Sequence, residues 1–425
     1  MQRAFDPASL QRELSALAVP GQWDVGFSGG PDSVALLAAL VRCTLPPGTA
    51  LRCVHVNHGL HPQAGRWARF CVQFCTRLGV PCRVVHVTAA ASRGESPEAA
   101  ARAARYGALG ELLAPGGTLL TAHHRDDQAE TLLLQALRGA GPDGLSAMPA
   151  LARFYKGWHV RPLLGFDRAA LERYARDEGL TWVDDPSNRE TGYDRNYLRH
   201  IVMPLIRARW PAASRTLARA ATLQAESVAM LEEVGRTDLS ALEGPRAGTL
   251  SICGLLRLPR RRQSRVLRLW IAGHDLPPPT HGQMLRVLGD VIDASPDAAP
   301  RVRWPGAEVR RYRDALFAFP PMSAHDPGQS YLWDTRHPLE IPHLGRILSR
   351  ESLTADGICL PEPGQPVHVG FRQGGERCRP AGRGHRHPLK KLFQEAGVPP
   401  WERDRIPLVY ANGRLVGVVG FWACE

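Results

Sequence analysis

Between Trp23 and Leu164, short apolar runs alternate with longer stretches in which apolar residues recur every three to four positions. The runs WDVGF (23–27), LRCVHV (51–56), CRVVHV (82–87) and GTLLTA (117–122) read as buried strands, and 31–42, 62–78, 95–114 and 125–138 read as helices. That alternation predicts an α/β fold, a parallel sheet with helices on both faces. In such sheets ligands bind beyond the carboxyl ends of the strands, near the point where strand order reverses.

The pattern changes further along. A helix-rich stretch covers 167–230 and includes DRAALERYARDEG, opened by Asp167 as N-cap and closed by Gly179. Past about residue 215 it is mainly helical as far as DLPPPT (275–280), after which HGQMLRVLGDVID predicts one more helix. Proline-rich punctuation at 295–305 and 319–327 predicts a loop-rich border. From 331 to 425 short strands surround one helix at LKKLFQEAG, and a closing strand pair turns at Asn412-Gly413. No internal repeat is visible. Three domains are expected: 1–215 with the parallel sheet, 216–330 mainly helical, and 331–425 a small α+β domain. A length of 425 residues agrees with that count at about 150 residues per domain.

Composition narrows the class. With 44% hydrophobic and 22% charged residues the chain is globular, and no run of about 18 apolar residues could span a bilayer. The opening MQRAFDPASLQRELSALAVPGQWD lacks the basic flank and apolar stretch of a secretory signal, so a cytoplasmic location without a membrane is expected. Nine cysteines, an odd number in a large chain, do not suggest a disulfide scaffold. Cys71 and Cys75 share a face of a predicted helix, but no CxxC accompanies them, so a redox or metal role is not expected of that pair.

Charge is uneven along the chain. Residues 1–200 carry 22 basic and 19 acidic side chains, and residues 201–425 carry 31 and 22, so most of the net +12 lies in the second half. All but Lys156, Lys390 and Lys391 of the basic residues are arginines, whose planar fork suits phosphate. A polyanionic partner is plausible on this ground, although a GC-rich genome also favours arginine.

The chemistry follows the strands. VGF runs into Ser28-Gly29-Gly30-Pro31-Asp32-Ser33, which opens a helix. The glycines let backbone approach a phosphate closely, the first-turn N–H groups point at it, and Pro31 fits the first turn. The lysine of a Walker A loop is missing, and so is the spacing of a dinucleotide fingerprint. A plain turn and cap would not need this strand–loop–helix context. SGGxDS resembles the signature of the PP-loop ATP pyrophosphatases, which implies ATP cleaved between its α- and β-phosphates, with Asp32 helping to hold Mg²⁺, a hard cation that prefers oxygen ligands.

Other clusters lie at the same predicted edge. His55 reads as a strand residue with a satisfied hydrogen bond, whereas Asn57 and His58 could line an adenosine pocket. After the fourth strand comes His123-His124-Arg125-Asp126-Asp127-Gln128-Ala129-Glu130-Thr131. If the helix begins there, His123 and Asp127 share a face, with Glu130 three residues on. Such a cluster can orient a metal-bound phosphate, accept a proton from an amine, or cap the helix. Capping alone would not require two histidines. Arg102 and Arg105 lie in ARAARY, and Asp184-Asp185-Pro186-Ser187-Asn188 is turn chemistry followed by a helix on which Arg195 and Arg199 share a face.

SGGxDS, NHGL, ARxxRY, HHxDDQAET and DDPSNxxxxxxRNxxR occur in this order. Together they resemble the tRNA(Ile)-lysidine synthases, and LKKLFQEAGVPPWERDRIPLVY with the upstream RQGGERCRPAGR resembles the last domain of the longer members. The resemblance is dense over 24–200 and 371–420 and weak over 215–350. His61 departs from it, standing where arginine is usual.

The resemblance implies a ligase with ATP and Mg²⁺ that joins the ε-amino group of L-lysine to C2 of the wobble cytidine of a tRNA(Ile) with a CAU anticodon, changing codon reading from AUG to AUA. Adenylating the C2 oxygen makes it a leaving group expelled as AMP. It further implies that Ser28, Gly29, Gly30, Pro31 and Ser33 hold the nucleotide, that Asp32 works through Mg²⁺, and that Asp127 with His123 positions lysine or takes its proton. Arg105 and Arg195 would neutralise charge on the triphosphate or pyrophosphate, and exchanging these last two pairs of roles fits equally well. Affinity for tRNA would come from phosphate contacts, with Arg199, Arg261, Arg265, Arg377, Lys390 and Lys391 as candidates. A homodimer is left open. The alternatives are a PP-loop tRNA thiolase, opposed by the lack of a CxxC between 20 and 200, and an inactive RNA-binding homologue, opposed by the presence of Asp32, His123, Asp127 and Arg195.

Overall fold

The computed structural model describes residues 4–19, 21–59, 61–88, 97–295 and 298–425. Leu60 of the NHGL string and residues 95–96 of the helix expected over 95–114 lie outside the described residues, as do residues 1–3. The chain forms two compact units, Met1–Glu232 and Glu233–Glu425.

In the first unit α1 (Pro7–Leu17) precedes β1 (Trp23–Gly26), α2 (Pro31–Leu40), β2 (Leu51–Asn57), α3 (Ala64–Arg77), β3 (Cys82–His86), α4 (Pro97–Leu112), β4 (Thr118–Leu120) and α5 (Arg125–Leu137). All four expected strands are present and pair in parallel in the order β3-β2-β1-β4. The chain builds outward from β1 to β3 and then crosses to the other side of β1. Strand order therefore reverses between β1 and β4, and the loops after these two strands flank the crevice where such sheets bind ligands. Every residue of α2 from Ser33 to Leu40 is buried, which fixes the helix that the loop after β1 opens. Cys71 and Cys75 face that same core from α3.

The sheet is wider than the apolar runs predict. After α6 (Pro142–Leu145), a hairpin of β5 (Leu151–Phe154) and β6 (Gly157–Val160) joins it, β6 parallel to β4 and β5 antiparallel at the edge. The hairpin escapes sequence reading because its turn uses no Asn-Gly or Asp-Gly pair; Tyr155 instead adopts φ +48°.

Then follow α7 (Arg168–Asp177), α8 (Asp194–Tyr197), a π-helical turn (Leu198–Val202), α9 (Met203–Arg209) and α10 (Ala213–Ser240). Asp167 does sit at the N-cap of α7, but its carboxylate accepts a hydrogen bond from Arg125 at 2.6 Å, and Asp126 takes the backbone N–H of Arg168 at 3.0 Å. The cap is thus supplied by the first turn of α5, which locks α7 to it.

The second unit departs from the mainly helical expectation for 216–330. Helices Ile252–Leu256, Arg260–Gly273 and His281–Arg286 are there, yet they share a core with a four-stranded antiparallel sheet of Leu250–Ser251, Ala315–Phe319, Ala307–Tyr312 and Arg301–Trp304. The last of these runs through the expected loop-rich border. Pro300 and Pro305 flank the strand instead of interrupting it, while Val302 and Trp304 point inward. Near the carboxyl end, Leu408–Ala411 and Arg414–Val418 form the expected hairpin, with Asn412 and Gly413 at φ +49° and +74°. The expected helix there spans Leu389–Glu395, and a disulfide joins Cys378 to Cys424. Among the described residues no helix is long and apolar enough to cross a membrane.

Candidate active site

The loop after β1 is shaped by what Gly29 permits. Its φ is +81°, and a Cβ there would stand 2.9 Å from Cys71 Sγ and 3.3 Å from Val183 Cγ2, so a larger residue is strained and must push the Cys71 side chain aside. Gly30 is the N-cap of α2 and, having no side chain, leaves the first turn uncapped behind Pro31. Ser28 and Ser33 close the loop, their hydroxyls 3.1 Å apart, with Ser33 donating to Gly30 O at 3.0 Å. Free first-turn N–H groups at the end of a buried helix form an anion site. Beside it, Oδ1 of Asp32 is buried without a hydrogen-bond partner, an oxygen donor of the kind Mg²⁺ selects.

At the end of β2, His55 is buried with Nδ1 on Phe27 O at 2.9 Å. Asn57 accepts the N–H of Gly59 at 2.8 Å and so fixes the bend after the strand. His58 Nε2 accepts from Arg105 Nε at 3.3 Å, bringing together two residues 47 apart in sequence. Burial, the Arg105 guanidinium and His55 push His58 down to about 4. The neutral ring is therefore held as an acceptor for Arg105. His61 stacks on Trp67 with ring centroids 4.7 Å apart.

The third loop corrects the expected pairing of His123 with Asp127 on one helical face. α5 begins at Arg125, two residues later than that reading requires, with His124 as N-cap. The N–H of His124 donates to Asp127 Oδ2 at 2.9 Å, and His124 Nδ1 lies 3.4 Å from the same oxygen. His123 instead turns to Thr121, whose hydroxyl is 2.8 Å from Nδ1. Burial works against charge on His124, but Asp127, Asp32 and Asp126 outweigh it and hold the imidazole above its ordinary pKa.

Glu130 and Asp127, both buried, meet two guanidiniums. Arg195 donates to Glu130 at 3.1 Å and to Asp127 at 3.0 Å; Arg199 donates to Glu130 through two nitrogens and to Asp127, each at 2.8 Å. Burial alone would raise the Asp127 carboxyl, but His124, Arg195 and Arg199 hold it far below the usual carboxylate range. Arg195 and Arg199 reach this pair because Asn196, between them, donates to Ser187 O at 2.9 Å and Glu190 O at 3.0 Å and pins the DDPSN turn against the helix. Asp126 organises the opposite side, accepting from Arg168 N, from Ser214 at 2.7 Å and from Arg207 at 2.5 Å.

Thus Asp32, His123, Asp127, Arg195 and Arg199 sit with the loops after β1 and β4, and Arg105 with Asn57 and His58 lines the end of β2. His124, Glu130 and Asp126 belong to the same cluster although motif reading gave them no individual role. In the second unit, Arg261, Arg377, Lys390 and Lys391 are exposed and Arg265 is half-buried, while the neighbouring Arg260 and Arg262 are paired with Asp293 and Asp238.

Three family models match the chain: a PP-loop domain over residues 7–206, a TilS substrate binding domain over 250–317 and a TilS substrate C-terminal domain over 367–425. The tRNA(Ile)-lysidine synthase of Coxiella burnetii (strain RSA 493 / Nine Mile phase I) is 40% identical over 99% of this chain and 93% of its own length. That of Alkalilimnicola ehrlichii (strain ATCC BAA-1101 / DSM 17681 / MLHE-1) is 42% identical over 97% and 93%. Among solved structures, a U34-tRNA thiolase, NcsA from Methanococcus maripaludis, aligns with a TM-score of 0.43 and 18% identity over 51% of this chain and 76% of its own. On sequence and domain content, the chain belongs to the tRNA(Ile)-lysidine synthase family.

Proposed function

We propose that this chain is a ligase that uses ATP to join L-lysine to C2 of the wobble cytidine of tRNA(Ile) bearing a CAU anticodon, releasing pyrophosphate and then AMP. The observation that carries this reading is the adjacency of two unlike sites. An uncapped helix N-terminus with Asp32 beside it suits a triphosphate, and next to it two buried carboxylates face two guanidiniums.

In the first step the C2 oxygen attacks the α-phosphorus and pyrophosphate leaves. Ser28, Gly29, Gly30, Pro31 and Ser33 cradle the phosphates, and Arg105, held by His58, balances their charge. Asp32 would hold Mg²⁺, whose positive charge offsets that of the phosphates. In the second step the ε-amino group attacks C2 and AMP leaves. A zwitterionic amino acid carries both signs of charge, and the Asp127–Glu130–Arg195–Arg199 cluster offers both, carboxylates for the ammonium and guanidiniums for the α-carboxylate. Asp127, held ionised, binds the ammonium, and Glu130 takes the proton that the amine gives up on attack.

The test is pyrophosphate release with ATP, lysine and the CAU tRNA(Ile). Asp32→Ala should reduce it by at least about 10²-fold, on the scale of lost electrostatic stabilisation. Undiminished release from this variant would remove the nucleotide assignment.

A further inference from the structure

Behind His123 runs a chain of polar side chains that the two steps above leave unused. Arg161, which follows β6, has Nη2 3.0 Å from Nδ1 of His159. Nε2 of His159 lies 2.8 Å from Thr121 Oγ1, and that hydroxyl lies 2.8 Å from Nδ1 of His123. Thr121 and His159 are buried, and the rings of Tyr106 and Phe154 stand 5.6 and 5.5 Å from the His159 ring, so water has little access.

Each bond in this chain can run in one direction only. A guanidinium has donors and no acceptor, so Nδ1 of His159 must be the nitrogen with the lone pair. The neutral ring then carries its hydrogen on Nε2 and donates it to Thr121. Among the described residues the hydroxyl of Thr121 meets only these two rings, and His159 Nε2 already donates to it, so its single hydrogen has one acceptor, Nδ1 of His123. His123 is left with its own hydrogen on Nε2.

We propose that Arg161, His159 and Thr121 form a one-way hydrogen-bond relay that fixes His123 as the Nε2–H tautomer, so that His123 presents a donor, not a proton acceptor, to an oxygen of the reacting nucleotide. The donor role rests on the placement of the nucleotide against the loops after β1 and β4 proposed above; the tautomer does not. Among the described residues no hydrogen bond engages Nε2 of His123. The surrounding charges agree. Burial holds His123 well below the ordinary imidazole range; Asp127 on α5 opposes this, while Arg161, Arg195 on α8 and Arg102 on α4 add to it. Burial, Arg161 and Arg102 likewise hold His159 down to about 3. A neutral imidazole among guanidiniums is a poor base and a usable donor. The relay therefore takes His123 out of the proton-accepting role, which leaves it to Glu130, and makes Arg161, His159 and Thr121 positioning residues.

The direct test is long-range ¹H–¹⁵N NMR of the full chain labelled in histidine, with the His123 signals identified by their loss in His123→Gln. The expected result is an Nε2–H tautomer in the parent protein and a mixture of tautomers in Thr121→Val. An Nδ1–H or doubly protonated His123 in the parent, or an unchanged tautomer in Thr121→Val, overturns the relay whatever the site binds.

Kinetics test the donor role separately. His123→Gln keeps an N–H donor and should stay within about tenfold of the parent in pyrophosphate release, whereas His123→Ala should lose about 10²–10³-fold. Equal losses overturn the donor role. Thr121→Ser should retain activity that Thr121→Val loses, and equal activity in the two contradicts the relay. Should the loss in His123→Ala appear in ATP affinity, the acceptor is a triphosphate oxygen. Should it appear only in the rate of tRNA-dependent release, the acceptor is the pyrimidine C2 oxygen.

Discussion

His124 places its Nε2 3.6 Å from Oδ2 of Asp32 and so ties the phosphate loop after β1 to the carboxylate loop after β4. The ring is 1% exposed, and its other nitrogen faces Asp127 and Asp126. One imidazole therefore serves three carboxylates, one of which is the Asp32 assigned to the nucleotide.

Replacing His124 by phenylalanine keeps the volume and removes the partner of those carboxylates. Leaving buried charge uncompensated costs about 3–5 kcal/mol, so the variant should unfold at a markedly lower denaturant concentration and release no pyrophosphate. A stability equal to that of the parent would show that the carboxylates do not depend on His124.

Gly29→Ala tests the phosphate cradle. The new Cβ meets Cys71 Sγ at 2.9 Å on a backbone already at φ +81°. The left-handed conformation alone costs an alanine about 1–2 kcal/mol. ATP binding measured by calorimetry should fall at least about tenfold, and unchanged affinity would contradict the assignment of this loop.

Arg199 was a candidate for tRNA contact on sequence grounds, yet its guanidinium is committed to Glu130 and Asp127. Arg199→Ala should raise KM for lysine and lower stability by about 3 kcal/mol, while tRNA affinity changes by less than about threefold. A loss confined to tRNA affinity would return Arg199 to the RNA-contacting set.

The pH dependence of stability should carry the mark of His159. Folded, its imidazole stays neutral down to about 3; unfolded, it takes a proton near 6.5. Between those limits the unfolded chain binds one more proton than the folded one, so stability falls as pH drops below about 6.5, by up to about 1.4 kcal/mol per pH unit from this group. Unfolding midpoints of His159→Gln should decline less steeply than those of the parent between about pH 6.5 and 4. Parallel curves would contradict it.

Lys390 and Lys391 are exposed at the start of the helix Leu389–Glu395. If they contact tRNA phosphates, replacing both by glutamine should weaken tRNA binding and reduce the slope of log affinity against log salt by roughly 1.5. An unchanged slope removes them from the interface.

Much of the first unit was legible because parallel strands buried on both faces read as apolar runs, and because each motif follows a strand. The exceptions have local causes. His124 and His123 exchange the roles that helical spacing suggests, because the helix starts at Arg125 and a histidine can itself cap it. The β5–β6 hairpin turns on a tyrosine in the left-handed region. Strand Arg301–Trp304 was hidden by the prolines flanking it. The links from Asp126 to Arg168, Arg207 and Ser214 join residues 42 to 88 positions apart, a distance no local pattern reports.

The most direct measurement is the transfer of radiolabelled lysine by the purified chain, with ATP and Mg²⁺, to tRNA(Ile) bearing a CAU anticodon, alongside initiator tRNA(Met), which shares that anticodon. Label is expected in tRNA(Ile) alone, with one pyrophosphate and one AMP released per lysine attached. Label in neither tRNA would contradict the ligase function.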